Sequence, residues 1–400
     1  MRGHLKRIGE NKYRIVYDAP KGIDGKRKLK TETIFGNKKA AEAALSDRVT
    51  AIQRGDYIDS GKLTVHDLFQ RFMEGSESSL AATTRQRYAG IVKHHIDPSL
   101  GKIVLSQLSP LHLEQAYAKW LQQGRIREKG GLSHRTVLHY HRLLHRVLSQ
   151  AVKWRLATRN IADAVGPPKP EHREMRALSE TQVAEILQAL DRPTDHVMAQ
   201  GGLSTESSFP AAIKCALYTG CRLGELLGLK WEDIDFQDKS IVIRRSIQEV
   251  RGEVFVKETK TGKSRVISIP QYLVQVFQTH KAQQNANRLA LGKGYRTDGF
   301  VFARNDGSWI RPQTMSQAAK ALFKRLGMEC RLHDLRHTHA TLLLKSGISS
   351  KVASSRLGHA SVGITLDLYA HVLPGMDEEA AGTFEALIAG AASASPKLAR

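Results

Sequence analysis

The chain has 400 residues, 41% of them apolar and 25% charged, which is typical of folded globular proteins and excludes a disordered chain. Sixty-one lysines and arginines stand against 39 acidic residues, giving a formal net charge of +22 with neutral histidines. Such an excess indicates a polyanionic partner, either a nucleic acid or an anionic membrane. The sequence lacks an apolar run of about 18 residues and an N-terminal export signal, so we expect a soluble cytoplasmic protein without a membrane partner. Three scattered cysteines make neither a disulfide framework nor a Cys-x-x-Cys metal site.

The first forty residues are strongly basic, with twelve lysines and arginines against four acidic residues. Alternating apolar and polar residues predict strands over 13–17 and 30–35, and an alanine-rich stretch predicts a helix over 38–54. We therefore predict a small strand–strand–helix module with a basic face over residues 1–60. A solvated basic arm is the alternative that charge alone leaves open.

Residues 61–168 are predicted to form a helical domain. Apolar residues at helical spacing predict helices over 63–72, 83–95, 109–122 and 132–154. Thr64 with Asp67 three residues later, and a Ser-Pro pair at 109–110, are typical helix starts. Residues 121–160 contain nine basic residues and one acidic residue, so one face of this domain suits the phosphate backbone of a duplex.

Two histidines of the last of these helices, His141 and His145, lie one turn apart. Such a pair can bind a metal ion, but no cysteine or carboxylate completes the site in sequence. We therefore predict that these histidines face phosphate groups or solvent.

The prolines at 167, 168 and 170 predict an extended break, so we place a third domain at residues 169–400. Its sequence predicts helices over 179–190, 209–218 and 222–229, strands over 240–245, 253–256 and 265–269, and helix for the rest to about residue 373. The whole chain is thus predicted to be mainly α with small β-sheets (α+β) and to contain several domains.

Four separated segments of the third domain carry residues suited to phosphate chemistry. Arg222 and Glu225 lie three residues apart, so the carboxylate can orient the guanidinium, although a surface ion pair is the simpler alternative. His333 and Arg336 share one helical face in the same way. The segment 258–265 predicts a tight turn that joins two strands and presents Lys260.

The fourth segment brings a histidine, His359, and then Tyr369 ten residues later. Two arginines and a histidine that converge can neutralise a phosphodiester, a lysine can protonate a leaving oxygen, and a tyrosine can hold the phosphoryl group covalently. The sequence shows no carboxylate cluster for Mg²⁺, no phosphate-binding loop for ATP, and no Cys or His-Glu-x-x-His motif for zinc. The set predicts metal-free phosphoryl transfer through a phosphotyrosine.

The order Thr-Gly-x-Arg-x-Gly-Glu, Thr-Lys-Thr-Gly, His-x-Leu-Arg-His, Leu-Gly-His and Tyr resembles the tyrosine recombinases, specifically the phage-type integrases. The likeness covers residues from about 175 to 375. More loosely, residues 61–168 resemble the core-site DNA-binding domain of that family and residues 1–60 its arm-site DNA-binding module. The resemblance implies six catalytic residues: Arg222, Lys260, His333, Arg336, His359 and Tyr369.

The resemblance also implies a role for each residue at the scissile phosphate. Arg222 and Arg336 would bind the phosphate, with Glu225 orienting Arg222. His359 would donate a hydrogen bond to the same group, and His333 would accept or relay the proton of the attacking phenol.

The nucleophile implied by the resemblance is Tyr369, which would leave a 3′-phosphotyrosyl DNA. Lys260 would protonate the departing 5′ oxygen, but Lys257 and Lys263 lie in the same segment and stay open as alternatives. No cofactor and no metal ion are implied.

The implied function is site-specific recombination that integrates or excises a mobile element in a bacterial host, in the cytoplasm at the nucleoid. The implied partners are double-stranded DNA with attachment sites, three further copies of the chain in a tetramer, and, as an optional accessory protein, a directionality factor. An apolar stripe at 384, 387 and 388 would pack on a neighbouring protomer or on its own subunit. A type IB topoisomerase and a non-catalytic DNA-binding regulator are the alternatives.

Overall fold

A computed structural model of the chain describes residues 3–19, 28–53, 63–76, 79–126, 128–170, 177–191, 208–250, 252–258, 264–359, 361–363, 366, 381–382, 384–386 and 388. The chain divides into two compact units, Met1–His172 and Arg173–Arg400. Helices predominate in the described residues and the strands form small antiparallel sheets, which confirms the predicted fold class. No helix in these residues combines the length and apolar character that crossing a bilayer requires.

The N-terminal unit begins with an antiparallel sheet of order β1-β2-β3 that packs against one helix. Its elements are β1 His4–Gly9, β2 Lys12–Ala19, β3 Lys28–Phe35 and α1 Lys38–Gln53. Strand β1 was missed by the sequence prediction, because an edge strand that buries little apolar surface carries a weak alternation signal. Ile15 and Tyr17 of β2 lie under Ala41 and Ile52 of α1, in a hydrophobic cluster separate from that of the following helices.

The second part of this unit is helical, as predicted. Its elements are α2 Val65–Gly75, α3 Ala82–Ile91, the π-helix Val92–Gly101, α4 Pro110–Gln123 and α5 His134–Lys153. Thr64 and Asp67 cap α2 reciprocally: the Asp67 carboxylate accepts from the Thr64 N–H at 2.9 Å, and the Thr64 hydroxyl accepts from the Asp67 N–H at 3.2 Å. The division into residues 1–60 and 61–168 stays a prediction, which the two separate clusters support.

One predicted helix, 83–95, is wrong at its end. The chain continues beyond α3 as a π-helix that runs through Pro98 to Gly101. Here tertiary packing outweighs the helix-breaking tendency of proline, because the His95 ring of this segment packs against Tyr140 and edge-to-face against Trp120, with ring centroids 4.9 and 6.4 Å away.

The prediction that His141 faces phosphate or solvent is also wrong. His141 is buried, and its Nδ1 lies 2.9 Å from the hydroxyl of Tyr117. His145 is exposed and pairs with Asp163 at 2.8 Å. Among the described residues, no group of three or more His, Cys, Asp and Glu side chains lies close enough to hold a metal ion.

The C-terminal unit surrounds one large hydrophobic cluster with helices and two small antiparallel sheets of orders β4-β5-β8 and β6-β7 in its described residues. Its helices are α6 Glu180–Asp191, α7 Ser208–Thr219, α8 Leu223–Leu227, α9 Gln271–Leu291, α10 Pro312–Arg325, α11 Leu332–Lys345 and α12 Ser350–Leu357. Its strands are β4 Ile234–Asp235, β5 Ser240–Ile243, β6 Arg245–Val250, β7 Glu253–Glu258 and β8 Arg265–Ser268.

Three sequence predictions for this unit need correction. The strand expected at 240–245 is split, because β5 and β6 belong to different sheets. Strands β7 and β8 flank the segment with Lys260 but do not pair with each other, so they form no β-hairpin; β7 pairs with β6, and β8 with β5. Residues 295–311 are not helical, because Gly299 and Gly307 adopt left-handed backbone angles (φ 77° and 78°) in this stretch.

Candidate active site

Arg222 lies directly before α8 and is held by a carboxylate of that helix. Glu225 Oε2 accepts from the Arg222 backbone N–H at 3.1 Å, and Oε1 accepts from Nη1 at 2.9 Å. Glu225 is 5% exposed, whereas the Arg222 side chain is 44% exposed. The pair therefore differs from a simple surface ion pair: a buried carboxylate fixes a guanidinium whose other side reaches solvent.

Arg336 lies on α11, one turn after His333, and is 4% exposed. Its Nη1 donates to the carbonyl of Gly220 and its Nη2 to the carbonyl of Leu357, both at 2.8 Å. Arg222 Nη2 donates to the next carbonyl, that of Gly358, at 2.9 Å. The two arginines thus meet at the end of α12.

Two glycines allow this close approach. Gly220 (φ 63°) and Gly358 (φ 67°) both adopt left-handed backbone angles. A Cβ at Gly220 would lie 2.6 Å from Leu357 Cδ2, and a Cβ at Gly358 would lie 2.8 Å from Arg265 Nη1. Gly358 also ends α12, after which the His359 N–H donates to the carbonyl of Ser354 at 3.1 Å. The glycines therefore bring His359 next to both arginines.

The histidines of the site are held in their neutral form. Burial and the charge of Arg336 lower the pKa of His359 to about 4. The pKa of His333 is also lowered, by partial desolvation of its ring and by the charge of Arg336, although part of the residue is exposed to solvent. The His333 ring lies perpendicular to that of His337, with centroids 4.8 Å apart. At neutral pH His333 can accept a proton, and His359 can donate a hydrogen bond without carrying charge.

A third arginine, Arg265, joins the site and was missed as a site residue in the sequence. Its Nη2 donates to Glu225 Oε2 at 2.6 Å, and its Nε donates to the carbonyl of Arg356 at 3.0 Å. A signal was available: in β8, Arg265 lies two residues before the buried Ile267 and next to the exposed Val266, so strand periodicity places it on the inward face with Ile267. A charged residue on such a face needs a partner.

The cluster carries more positive than negative charge, since three guanidiniums surround one carboxylate. Burial and the charge of Arg222 lower the pKa of Arg336 to about 10, which reflects the crowding of cations. Burial alone would raise the pKa of Glu225, but the hydrogen bonds from Arg265 and Arg222 outweigh it and keep the pKa below its ordinary value. Such a cluster is suited to bind an oxyanion.

The structure thus brings together four of the six residues predicted from the sequence, Arg222, His333, Arg336 and His359. The other two, Lys260 and Tyr369, lie outside the described residues.

Comparison with known proteins agrees with the motifs. The profile described as the phage integrase family matches residues 176–375, half of the chain, and one described as the SAM-like N-terminal domain of phage integrase matches residues 64–121. The chain belongs to the phage integrase family. The resemblance inferred from the sequence is therefore confirmed.

Two relatives in this family match almost the whole chain. A tyrosine recombinase XerC-like protein of Caldanaerobacter subterraneus is 28% identical over 95% of this chain and 97% of the relative. The integrase of Mycobacterium phage L5 is 25% identical over 90% of this chain and 91% of its own length. This member of the phage integrase family is therefore a site-specific tyrosine recombinase and an enzyme; neither alternative, a topoisomerase or a non-catalytic regulator, is favoured.

Solved structures of two integrases share the fold. The integrase of transposon Tn1549, in complex with a circular intermediate DNA, has a TM-score of 0.66 at 20% identity, covering 81% of this chain and 99% of that one. A lambda integrase tetramer bound to a Holliday junction has a TM-score of 0.57 at 19% identity, covering 90% of this chain and 94% of that one.

Proposed function

We propose that this recombinase integrates or excises a mobile element between attachment sites in double-stranded DNA, through a 3′-phosphotyrosyl intermediate. The observation that carries the proposal is the convergence of Arg222 and Arg336 on the consecutive carbonyls of Leu357 and Gly358, beside His359. Two fixed guanidiniums at one point suit a single phosphodiester.

The arginines, in this proposal, bind the nonbridging oxygens of the scissile phosphate. Their hydrogen bonds to Glu225 and to backbone carbonyls fix them before DNA arrives, so little reorganisation is needed as charge builds up in the transition state. His359 donates a further hydrogen bond to the same oxygens. Side-chain cations supply the neutralisation that a metal ion provides in other phosphoryl-transfer enzymes.

The chemical step forms one bond to phosphorus and breaks another, and one proton is accepted while another is donated. The phenolic oxygen of Tyr369 forms a bond to phosphorus, and the bond to the 5′ oxygen of the next nucleotide breaks. His333, neutral at physiological pH, takes the phenolic proton, and Lys260 gives a proton to the departing 5′ oxygen. A 5′-hydroxyl from the partner strand then reverses these steps to form the recombinant strand.

The remaining parts of the chain, in this proposal, hold the DNA. Residues 61–168 bind the core site, residues 1–60 bind separate arm sites, and residues 169–400 catalyse the reaction. Because recombination joins two duplexes through four strand breaks, we propose a homotetramer on the DNA, in the bacterial cytoplasm at the nucleoid. An accessory directionality factor that binds near the arm sites could select excision over integration.

The C-terminal segment is proposed to link neighbouring protomers of this tetramer. Phe384 and Ile388 are exposed, which supports packing on a neighbour over packing on the same subunit. Truncation after residue 375 should weaken tetramer assembly on DNA, as measured by native mass. An unchanged assembly would contradict packing between protomers.

The proposed chemistry is tested by trapping the covalent adduct. In a DNA nicked just 3′ of the scissile phosphate, cleavage frees a short fragment that carries the new 5′-hydroxyl. This fragment diffuses away and cannot reseal the strand, so the phosphotyrosyl protein accumulates and the attached residue can be mapped. We expect attachment at Tyr369, formation in the presence of EDTA, and no adduct from Tyr369→Phe despite unchanged DNA binding. An adduct that survives Tyr369→Phe, or that EDTA abolishes, would contradict the mechanism.

The general acid is tested with a modified leaving group. Replacing the 5′ bridging oxygen by sulfur gives a leaving group that needs no proton. This DNA should restore cleavage by Lys260→Ala. Rescue of Lys257→Ala or Lys263→Ala in its place would move the assignment to that lysine.

A further inference from the structure

The arginine that begins β8, Arg265, is almost enclosed by the site. Its side chain is 14% exposed, about a third of the exposure of Arg222. Its Nη2 donates to Glu225 and its Nε to the carbonyl of Arg356. Its Nη1 packs against Gly358, 2.8 Å from the position that a Cβ on this glycine would take. The guanidinium therefore has little surface left for DNA.

The contacts of Arg265 close a ring through the phosphate-binding arginine. Arg265 binds Glu225 Oε2, Glu225 Oε1 binds Arg222, and Arg222 binds the carbonyl of Gly358, which packs beneath Arg265. Each member of the ring is thus held from two sides, and displacement of one member displaces the others.

The other end of Arg265 rests on a fixed point of the backbone. The side chain of Arg356, whose carbonyl accepts from Arg265, donates to the carbonyls of Tyr218 and Ser268 and to His339 Nε2, each at 3.0 Å. These bonds tie α12 to α7, β8 and α11. Arg265 thereby connects the ring to the chain three residues before His359.

We propose that Arg265 is a positioning residue that sets Arg222 and residues 356–359, at the end of α12, for the scissile phosphate without touching the DNA. This inference rests on the proposed function. Arg265 also lies five residues after Lys260, so the same anchor fixes the end of the segment that carries the proposed general acid. The two competing roles are a direct phosphate contact and a brace that only stabilises the fold.

The test compares Arg265→Ala and Arg265→Lys with Arg245→Ala in the full chain. Arg245 is a matched control, because its side chain is also 14% exposed and binds a buried carboxylate, Asp233, away from the ring. The measurements are the single-turnover cleavage rate at saturating core-site DNA, the Kd at several salt concentrations, and the thermal midpoint.

We expect Arg265→Ala to slow cleavage on the order of 100-fold, since small misplacements of catalytic groups cost that much. Its Kd and salt slope should stay close to those of wild type, because Arg265 makes no contact with DNA and the misplaced Arg222 keeps its charge beside the phosphate. A lost phosphate contact would instead reduce the slope by about 0.9. Arg265→Lys should recover only part of the rate, since one ammonium cannot bind both Glu225 and the carbonyl of Arg356. Arg245→Ala should lower the thermal midpoint and leave cleavage unchanged.

A second readout separates positioning from stability. A methylphosphonate at the scissile position is uncharged, so cleavage depends less on correctly placed cations. The deficits of Arg222→Ala and Arg265→Ala relative to wild type should both shrink on this DNA. A deficit of Arg265→Ala that stays constant would overturn the proposal.

Three further outcomes would also overturn it. A weaker Kd with a smaller salt slope would make Arg265 a phosphate contact, and a wild-type cleavage rate in Arg265→Lys would show that charge alone suffices. Equal cleavage rates of Arg265→Ala and Arg245→Ala would show that Arg265 only stabilises the fold. If Arg265→Ala does not fold, the cleavage rates of Arg265→Lys on the ordinary DNA and on the methylphosphonate DNA decide between the roles. Absence of an adduct from wild type would count against the proposed function, not against this inference.

Discussion

At the residue scale, the site depends on one carboxylate shared by two arginines. Glu225 is almost fully buried and neutralises part of the charge of Arg222 and Arg265. Glu225→Gln keeps the size but removes the charge and one acceptor oxygen. Breaking a buried pair on one side costs about 3–5 kcal/mol, so we expect a lower free energy of unfolding and slower cleavage.

The affinity of Glu225→Gln for core-site DNA should be equal to or tighter than that of wild type, because the site becomes more positive. Denaturant unfolding, adduct formation and Kd measure the three effects. Glu232→Gln serves as the control, since this glutamate binds Arg245 at an exposed position where such pairs contribute little to stability. Equal losses in the two variants would contradict the role of Glu225.

Histidines give the site a pH dependence. Burial, followed by the neighbouring His333, lowers the pKa of His337 to about 4, whereas an unfolded histidine titrates near 6.5. The unfolded state therefore binds more protons between these values, and stability falls as the pH is lowered through this window. One such histidine costs about 2 kcal/mol at pH 5 relative to neutral pH.

We expect the thermal midpoint to fall between about pH 7 and pH 5. His337→Asn should make this dependence less steep without removing it, because His359 has a pKa lowered in the same way. A wild-type slope in His337→Asn would mean that this histidine carries none of the effect.

Sequence alone predicted four of the residues that the structure brings together, because Arg222, His333, Arg336 and His359 each lie in a short motif whose spacing is local. Arg265 was not predicted as a site residue because its partners, Glu225 and the carbonyl of Arg356, are distant in sequence. The residues next to Arg265 in sequence do not predict either contact. Only the alternation of buried and exposed residues along β8 indicates that its side chain points inward.

At the element scale, local signals predicted the helix starts and tertiary pairing decided the rest. The cap of α2 consists of local hydrogen bonds, so the sequence located it correctly. The partners of β7 and β8 depend on strands before them in the chain, and the π-helix depends on Trp120 and Tyr140. No short window of sequence around any of these three elements contains this information.

The loop between α7 and α8 offers a test at this scale. Gly220→Ala adds a Cβ 2.6 Å from Leu357 Cδ2 and 2.9 Å from His339 Cδ2, next to the carbonyl that holds Arg336. We expect cleavage to fall more than about tenfold, because Arg336 and the end of α12 are pushed apart.

Gly327→Ala is a matched control for that substitution. Gly327 has a similar φ of 70°, but a Cβ there meets nothing within 4 Å. It should show only the backbone cost of about 1 kcal/mol, with normal cleavage. Adduct rates and thermal midpoints of both variants distinguish backbone strain from displacement of the site; equal cleavage defects would refute the displacement.

At the scale of the whole molecule, the charge of +22 is spread over parts with separate hydrophobic clusters. Each part can therefore present its own cationic surface, and the surfaces can be altered separately. The N-terminal sheet shows this most clearly. Lys6 of β1 and Arg14 of β2 are exposed and lie directly opposite each other.

Like charges opposite each other destabilise an antiparallel pair by a few tenths of a kcal/mol, and a bound phosphate backbone would relieve the repulsion. The double variant Lys6→Gln and Arg14→Gln should therefore bind arm-site DNA more weakly. The slope of its log affinity against log salt concentration should decrease by the amount expected for about two lost phosphate contacts. Its core-site cleavage should match wild type. A second double variant, Lys38→Gln and Lys39→Gln, removes the same charge from the exposed start of α1 and should change arm-site affinity less. Fluorescence titration of both variants over a range of salt concentrations decides: equal losses would mean that net charge, and not this face of the sheet, binds the arm site.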